Sequence, residues 1–247
     1  MSHSTLLYWV YMKRVQEYIT THKHLVAVGT VFLLLAIVIG YAVLQQLSIN
    51  QVASTPPPKD TELAAKMSKG DKNAPVQMVE FADVLCALCA QAHTKVMPSI
   101  ENDYIKTGKV RHEVRFVAKI SPDSARAAKG AYCAAEQNKF WDYYDTAEKK
   151  LWDKFDAGEH ALNITTFSQS NIVSFAKPLG LDMPAWNTCT SSDKYQSTLD
   201  KNNKDLQALN TYSTPTFLIN GKAYGGAPAY EVFKAVIDEA LAAKGRQ

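Results

Sequence analysis

Two cysteines separated by two residues, Cys86 and Cys89, lie where a predicted strand is followed by a predicted helix. Residues 75–82 before them carry apolar side chains on both faces, which is typical of a central strand covered on both sides. Residues 110–116 alternate apolar and polar side chains, which predicts a second strand. A strand, a helix and a strand in this order predict a parallel pair joined by a crossover. The cysteine pair therefore indicates an α/β fold.

The helix between these strands is expected to start at Cys86 and to run towards Tyr104 and Ile105. Pro98 lies inside it and predicts a kink, because proline lacks the amide donor of a regular helix. Gly108 lies just beyond it and predicts its end.

The remainder of the domain is predicted to be a helical block followed by a return to the sheet. From Ser121, a plausible N-cap, to about Asn210 the periodicity is helical, which indicates an insertion at about residues 121–210. Residues 216–219 then predict a strand, and Asn220-Gly221 favours a tight hairpin turn into the next strand. A last helix is predicted over residues 229–243.

An apolar stretch near the amino terminus, residues 25–44, is close to the length of about 20 residues that spans a bilayer as a helix. The basic residues that precede it are Lys13, Arg14 and Lys23. The positive-inside bias then predicts a short cytoplasmic segment (1–24) and a single transmembrane anchor (25–46) in the inner or cytoplasmic membrane, with the C-terminal domain extracytoplasmic. A cleaved signal peptide is the alternative, although its apolar region is usually shorter. A buried core helix fits less well, since such helices rarely lack a polar face.

Residues 47–74 are polar, include Pro56-Pro57-Pro58, and are predicted to be an extracytoplasmic spacer before a folded domain at 75–247. The net charge of +3 is mild and its acids and bases are interspersed. No nucleic-acid partner is therefore expected.

The position of Cys86 at a helix start predicts redox chemistry. Unpaired amide groups and the helix dipole favour a thiolate there, so they lower the pKa of the first cysteine. We therefore expect Cys86 to be the nucleophile and Cys89, one turn inside the helix, to be the resolving cysteine.

Thr214-Pro215 directly precedes the predicted strand at 216–219. Proline at a strand start leaves neighbouring backbone groups free to pair with an extended peptide, which would lie beside Cys86. On frequency alone the peptide bond would be trans, since only about 5–6% of X-Pro bonds are cis.

The pattern resembles the DsbA-like branch of the thioredoxin superfamily over roughly residues 75–243. The residues that carry the resemblance are Glu80-Phe81-Ala82-Asp83, Cys86-x-x-Cys89, residues 110–116, Ala131-Tyr132-Cys133-Ala134-Ala135-Glu136, Lys139-Phe140-Trp141, and Ser213-Thr214-Pro215-Thr216-Phe217 leading into Asn220-Gly221. The resemblance implies a thioredoxin-like fold with a helical insertion, a cis peptide before Pro215, and oxidation of thiols in secreted or envelope proteins. The partners it implies are reduced, unfolded protein substrates and a quinone-linked membrane oxidoreductase that regenerates the disulfide.

The residues between the cysteines depart from the family. Members often carry proline and then histidine or tyrosine, whereas this chain has Ala87 and Leu88, whose side chains cannot stabilise a thiolate at Cys86. Less stabilisation means a less oxidising couple, so a reductase or disulfide isomerase is the alternative function. A non-catalytic chaperone-like module with the same fold is a third possibility.

Glu80 lies six residues before Cys86, where the resemblance places an acidic group beneath the active site. If burial raises its pKa, it could relay the proton of Cys89. The alternative is a strand carboxylate with its own partner.

Four cysteines form an even set, which suits an oxidising compartment. We predict a structural disulfide between Cys133 and Cys189, with two separate buried thiols as the alternative. A zinc site is the metal alternative, but the chain offers a single C-x-x-C pair where structural zinc usually takes two ligand pairs. No metal and no cofactor are therefore expected.

Two histidines lie close to these elements. His93, one turn after Cys89, is expected to be exposed to solvent, with redox tuning as the alternative. His112 shares the apolar alternation of its strand and is expected to be a core or edge histidine with its own partner.

Overall fold

The computed structural model describes residues 9, 12–14, 16, 20–22, 32–39, 61–159 and 166–245. Two compact units are present, Met1–Val52 and Ala53–Gln247. In the first unit, residues 32–39 are helical and their side chains are exposed. Within the described parts of the chain, no helix is both long enough and apolar enough to cross a bilayer. The other residues of the predicted anchor at 25–46, and residues 47–60 of the predicted spacer, lie outside the described residues.

The second unit combines one mixed sheet with helices. Its strands are β1 (Ser68–Lys69), β2 (Val76–Ala82), β3 (Val110–Phe116), β4 (Thr216–Ile219) and β5 (Lys222–Gly225). Its α-helices are α1 (Glu62–Lys66), α2 (Ala87–Gln91), α3 (Met97–Ile100), α4 (Pro122–Glu136), α5 (Phe140–Asp156), α6 (Gln169–Ala176), α7 (Met183–Thr190), α8 (Gln196–Ala208) and α9 (Tyr230–Lys244).

The sheet has the order β1-β3-β2-β4-β5. β2 and β3 are parallel, as the crossover between them predicted, and the other neighbouring strands are antiparallel. Asn220 and Gly221 both have positive φ, 46° and 89°, which is the backbone that a type I′ hairpin turn between β4 and β5 requires. The predicted α/β fold is therefore confirmed, and the cysteine pair lies where the central strand β2 is followed by α2.

The predicted start of the folded domain at residue 75 is wrong. α1 has Thr61 as its N-cap, and β1 pairs antiparallel with β3 at the edge of the sheet. Met67 between them is only 3% exposed. The folded part therefore includes residues 61–74, which the sequence pattern alone places in the spacer.

The crossover from β2 to β3 is one nearly continuous helical run. π-helical turns at Ala92–Val96 and Glu101–Ile105 alternate with the α-helical segments α2 and α3. The helical run is irregular next to Pro98, since a π-turn ends just before the α3 segment that contains this proline, and the kink expected at Pro98 stays a prediction. Gly108 follows with φ of 75°, a conformation in which glycine lacks the steric penalty of other residues.

Five helices, α4 to α8, form the predicted insertion between β3 and β4, of which residues 160–165 lie outside the described part. Ser121 caps α4 as predicted, because its hydroxyl accepts from the Asp123 amide at 3.1 Å. α5 packs against both α4 and the active-site helix α2. The insertion therefore supplies one wall of the core around the cysteine pair.

Candidate active site

Cys86 is the N-cap of α2, and it follows β2 after a short turn. The turn is closed by a hydrogen bond from the Cys86 amide to the Asp83 carbonyl at 2.8 Å. Cys86 is 8% exposed and Cys89 is 0% exposed, and both are present as thiols. Cys86 therefore keeps a small exposed area, whereas Cys89 is completely covered by protein.

The two thiols have opposite pKa shifts. The pKa of Cys86 is lowered from 9.0 to about 6, chiefly because the Cys89 side chain hydrogen-bonds to its sulfur. The Thr214 side chain and the backbone amides of Leu88 and Cys89 add to this effect, while burial opposes it. Burial raises the pKa of Cys89 well above its ordinary value, and the hydrogen bond to the Cys86 sulfur and the negative charge on that sulfur add to the rise. The pair is thus divided into a nucleophile and a thiol that retains its proton.

The loop before β4 lies against the nucleophile. The Thr214-Pro215 peptide bond is cis, and the Cys86 thiol donates a hydrogen bond to the Thr214 carbonyl at 3.1 Å. Pro215 is buried and its carbonyl accepts from the Gly226 amide at 2.8 Å. The structure thus brings Thr214 and Pro215 together with Cys86, as the sequence predicted.

Exposed side chains flank this loop and the start of α2. Leu88 is 48% exposed and Tyr212 is 70% exposed. The Lys119 ammonium lies 4.8 Å from the centre of the Tyr212 ring and donates to the Tyr212 carbonyl at 2.7 Å. An apolar and positively charged rim therefore borders the approach to Cys86.

Asp83 ties the loops on this side of the sheet together. Its carboxylate accepts backbone hydrogen bonds from Leu85 at 2.9 Å, from Lys119 at 2.8 Å and from Ile120 at 3.2 Å. Asp83 is completely buried, so these backbone amides replace the hydrogen bonds that water donates to an exposed carboxylate. The turn that carries Cys86 is thereby fixed to the segment that follows β3.

Glu80 is completely buried on β2, and its Oε2 accepts from His112 Nε2 at 3.0 Å. Its Oε1 has no hydrogen-bond partner among the residues that the structure describes. In the parallel register Met78 is opposite His112 and Glu80 is opposite Val114, so the pair is diagonal on one face of the sheet. Glu80 thus has its own partner, which favours the second of the two interpretations drawn from sequence.

A second buried carboxyl, Glu148 on α5, was missed by the sequence analysis. It is 0% exposed, and its pKa is raised well above the usual range because burial disfavours the charged form and Glu80 adds negative charge. The sequence does contain a pattern that predicts the burial of Glu148. Tyr144, Ala147, Glu148 and Leu151 follow the spacing i, i+3, i+4, i+7 of a buried helical face, so the pattern places Glu148 in the core.

His93 is not exposed as expected. Its side chain is only 11% exposed, its Nε2 lies 2.8 Å from Asp145 Oδ1, and its ring lies 4.5 Å from the ring of Tyr144. His93 thus helps to join the active-site helix to α5.

Cys133 and Cys189 form a disulfide in the structure, with a Cα–Cα distance of 5.9 Å. It joins α4 to α7 within the insertion and lies apart from the Cys86 pair in sequence and in secondary structure. In the described ranges no group of three or more His, Cys, Asp or Glu side chains is placed to hold a metal ion.

The comparisons with known proteins agree with this geometry. The family model described as "Thioredoxin" matches residues 62–239. The "Probable disulfide bond formation protein D" of Bacillus anthracis is 27% identical over 229 residues, which is 88% of this chain and 96% of the relative. The "Disulfide bond formation protein D" of Bacillus subtilis is 25% identical over 185 residues, which is 71% of this chain and 77% of the relative.

Solved structures show the same fold. The crystal structure of Wolbachia pipientis alpha-DsbA1 aligns with a TM-score of 0.61 at 22% identity, over 76% of this chain and 94% of that one. The family match also begins within α1, in agreement with the corrected start of the folded domain. The chain therefore belongs to the thioredoxin family, and it is a DsbA-like thiol-disulfide oxidoreductase.

Proposed function

We propose that this oxidoreductase introduces disulfides into secreted or envelope proteins by passing on a Cys86–Cys89 disulfide. The observation that carries the proposal is the lowered pKa of Cys86, at about 6. A stabilised thiolate favours the reduced form of the enzyme, and this makes its disulfide a stronger oxidant. The stabilising groups are Cys89, Thr214 and backbone amides, so the shift does not depend on the side chains of Ala87 and Leu88.

In this mechanism a substrate thiolate attacks the Cys86 sulfur. A substrate–Cys86 disulfide forms, the Cys86–Cys89 bond breaks, and its electron pair goes to the Cys89 sulfur. A second substrate thiolate then attacks the substrate sulfur and releases Cys86 as a thiolate. The Thr214-Pro215 loop, which already contacts Cys86 at 3.1 Å, would hold the substrate backbone alongside.

The substrates in this proposal are reduced, unfolded proteins on the extracytoplasmic side of the inner or cytoplasmic membrane. The apolar stretch at 25–44 with its preceding basic residues supports a single-pass anchor there. A quinone-linked membrane oxidoreductase would reoxidise the dithiol. The relatives named for disulfide bond formation support the oxidising direction.

A reductase or isomerase is the competing function, and the Ala87-Leu88 spacer favours it because neither side chain donates a hydrogen bond. Equilibrating the folded domain with glutathione couples distinguishes the two. We expect a reduction potential well above the roughly −270 mV of thioredoxin. A value near that of thioredoxin would contradict the oxidase.

The control for both functions is Cys86→Ser. It should abolish exchange with glutathione and with a dithiol peptide. Undiminished biological activity of this variant would instead favour a non-catalytic chaperone-like module.

A further inference from the structure

Glu148 has no role in the exchange mechanism described so far, yet it lies in the core beside the redox pair. Neither of its carboxyl oxygens has a partner within normal hydrogen-bond distance in the described parts of the chain, although the Tyr144 side chain lies near enough to favour its charged form. A charged carboxylate without partners is strongly disfavoured in the protein interior. Glu148 is therefore held as a neutral acid that carries a proton.

Glu148 and Cys89 lie on two helices that pack against each other. α5 packs against α2, and the contact includes the His93 and Tyr144 rings, which are 4.5 Å apart. His93 lies four residues after Cys89, and Tyr144 lies four residues before Glu148. Cys89, Tyr144 and neighbours of Glu148 belong to the same buried cluster. Glu148 lies near enough to Cys89 that a negative charge on its carboxyl would raise the pKa of that thiol.

The groups that face Glu148 come from three elements. α2 contributes Cys86 and Cys89, β2 and its end contribute Glu80 and Asp83, and α5 itself contributes Tyr144. Glu80 on β2 and Asp83 just after it already have partners: His112 for Glu80 and three backbone amides for Asp83. Glu148 is the acid of this group without such donors among the described residues.

We propose that Glu148 is the proton carrier for Cys89. When a substrate thiolate attacks Cys86, the electron pair of the broken Cys86–Cys89 bond goes to the Cys89 sulfur. Glu148 gives its proton to that sulfur, becomes a carboxylate, and regains a proton from solvent, to which the substrate thiol had released its own. In the reverse direction the Glu148 carboxylate accepts the Cys89 proton. This role rests on the proposed exchange through Cys86 and Cys89.

The test is the single-turnover oxidation of a two-cysteine peptide by the full-length oxidised protein, quenched with acid at a series of pH values. We expect Glu148→Gln to slow disulfide opening by about 10²-fold, the lower range for loss of a general acid. The wild-type rate should fall at high pH when Glu148 ionises, and Glu148→Gln should lack this fall. The matched control is Asp153→Asn on the same helix, an exposed acid paired with Lys149, which should behave as the wild type.

Infrared difference spectroscopy provides a readout that is independent of turnover. The reduced wild-type protein should show the carbonyl stretch of a protonated carboxyl, and Glu148→Gln should lose it. Glu148→Leu should also fold, because it removes an unpartnered polar group from the core. A slower reaction in two stably folded variants would separate proton transfer from a structural role.

The possible failures are distinguishable. If wild-type protein does not oxidise the peptide, the proposed function fails. If the wild type reacts and Glu148→Gln keeps the same rate and pH profile, only the role of Glu148 is overturned. A slow Glu80→Gln beside an unaffected Glu148→Gln would likewise overturn it and assign the proton to Glu80.

Discussion

Replacing Cys89 with alanine should raise the pKa of Cys86 and lower its reactivity at neutral pH. The Cys89 side chain is the largest cause of the lowered pKa of Cys86. A hydrogen bond to a charged group contributes about 1.5–3 kcal/mol, which corresponds to about one to two pKa units. The pKa of Cys86 should therefore rise from about 6 to about 7–8. At pH 7 the thiolate fraction would fall from about 90% to between about 10% and 50%.

The assay is the rate of alkylation of Cys86 as a function of pH, checked by the ultraviolet absorbance of the thiolate. In the wild type, reactivity should be lost as the pH falls through about 6, because the folded-state pKa is lowered. In Cys89→Ala this loss should begin at a pH about one to two units higher. Cys89→Ser is the control, since its hydroxyl can still donate to the sulfur, and it should remain closer to the wild type. Equal pKa values for Cys86 in the serine and alanine variants would refute the reasoning.

Three further predictions concern stability, each measured by denaturant unfolding. Asp83→Ala should destabilise the fold by about 3 kcal/mol, because it leaves three backbone amides without their acceptor. A change below about 0.5 kcal/mol would show that the Asp83 carboxylate does not hold these loops together. Gly130→Ala should cost about 1–3 kcal/mol, since the added Cβ would lie 2.8 Å from Cζ of Tyr143 on α5. Wild-type stability would show that α4 and α5 are not packed this closely. Replacing both Cys133 and Cys189 with alanine should cost about 4 kcal/mol under the chain-entropy model for their separation of 56 residues, and an unchanged midpoint would argue against the bond.

The elements with strong local patterns could be predicted from the sequence. β2, β3 and the β4–β5 hairpin have alternation or turn residues that act within a few positions, and Ser121 is a capping residue next to proline. The cysteine pair could be placed at a strand–helix junction for the same reason. The cis peptide at Pro215 required the resemblance, because the frequency of X-Pro bonds favours trans.

The parts that could not be predicted depend on contacts between distant segments. α1 has five residues and β1 has two, too few for a periodic signal, and β1 is defined by its pairing with β3. His93 was expected at the surface because its partners, Tyr144 and Asp145, come from a helix about 50 residues away. Local sequence carries no information about such a partner.

The buried acids show a different limit. The helical spacing of α5 places Glu148 on its apolar face. Glutamate is usually found at the surface, however, so its burial is predicted only when all the apolar positions of this face are considered together. The bond between Glu80 and His112 required both the face of each strand and the parallel register. Burial and charge therefore had to be taken from the packed structure.

The most direct test of the central claim is to trap the mixed disulfide. A Cys89→Ser variant, in which the resolving sulfur is absent, is mixed with a peptide that carries one activated disulfide, and the adduct is mapped by mass spectrometry. The account predicts a single adduct at Cys86 whose rate of formation follows the low pKa of that thiol. No adduct at Cys86, or a rate that rises only near the ordinary cysteine pKa, would contradict it.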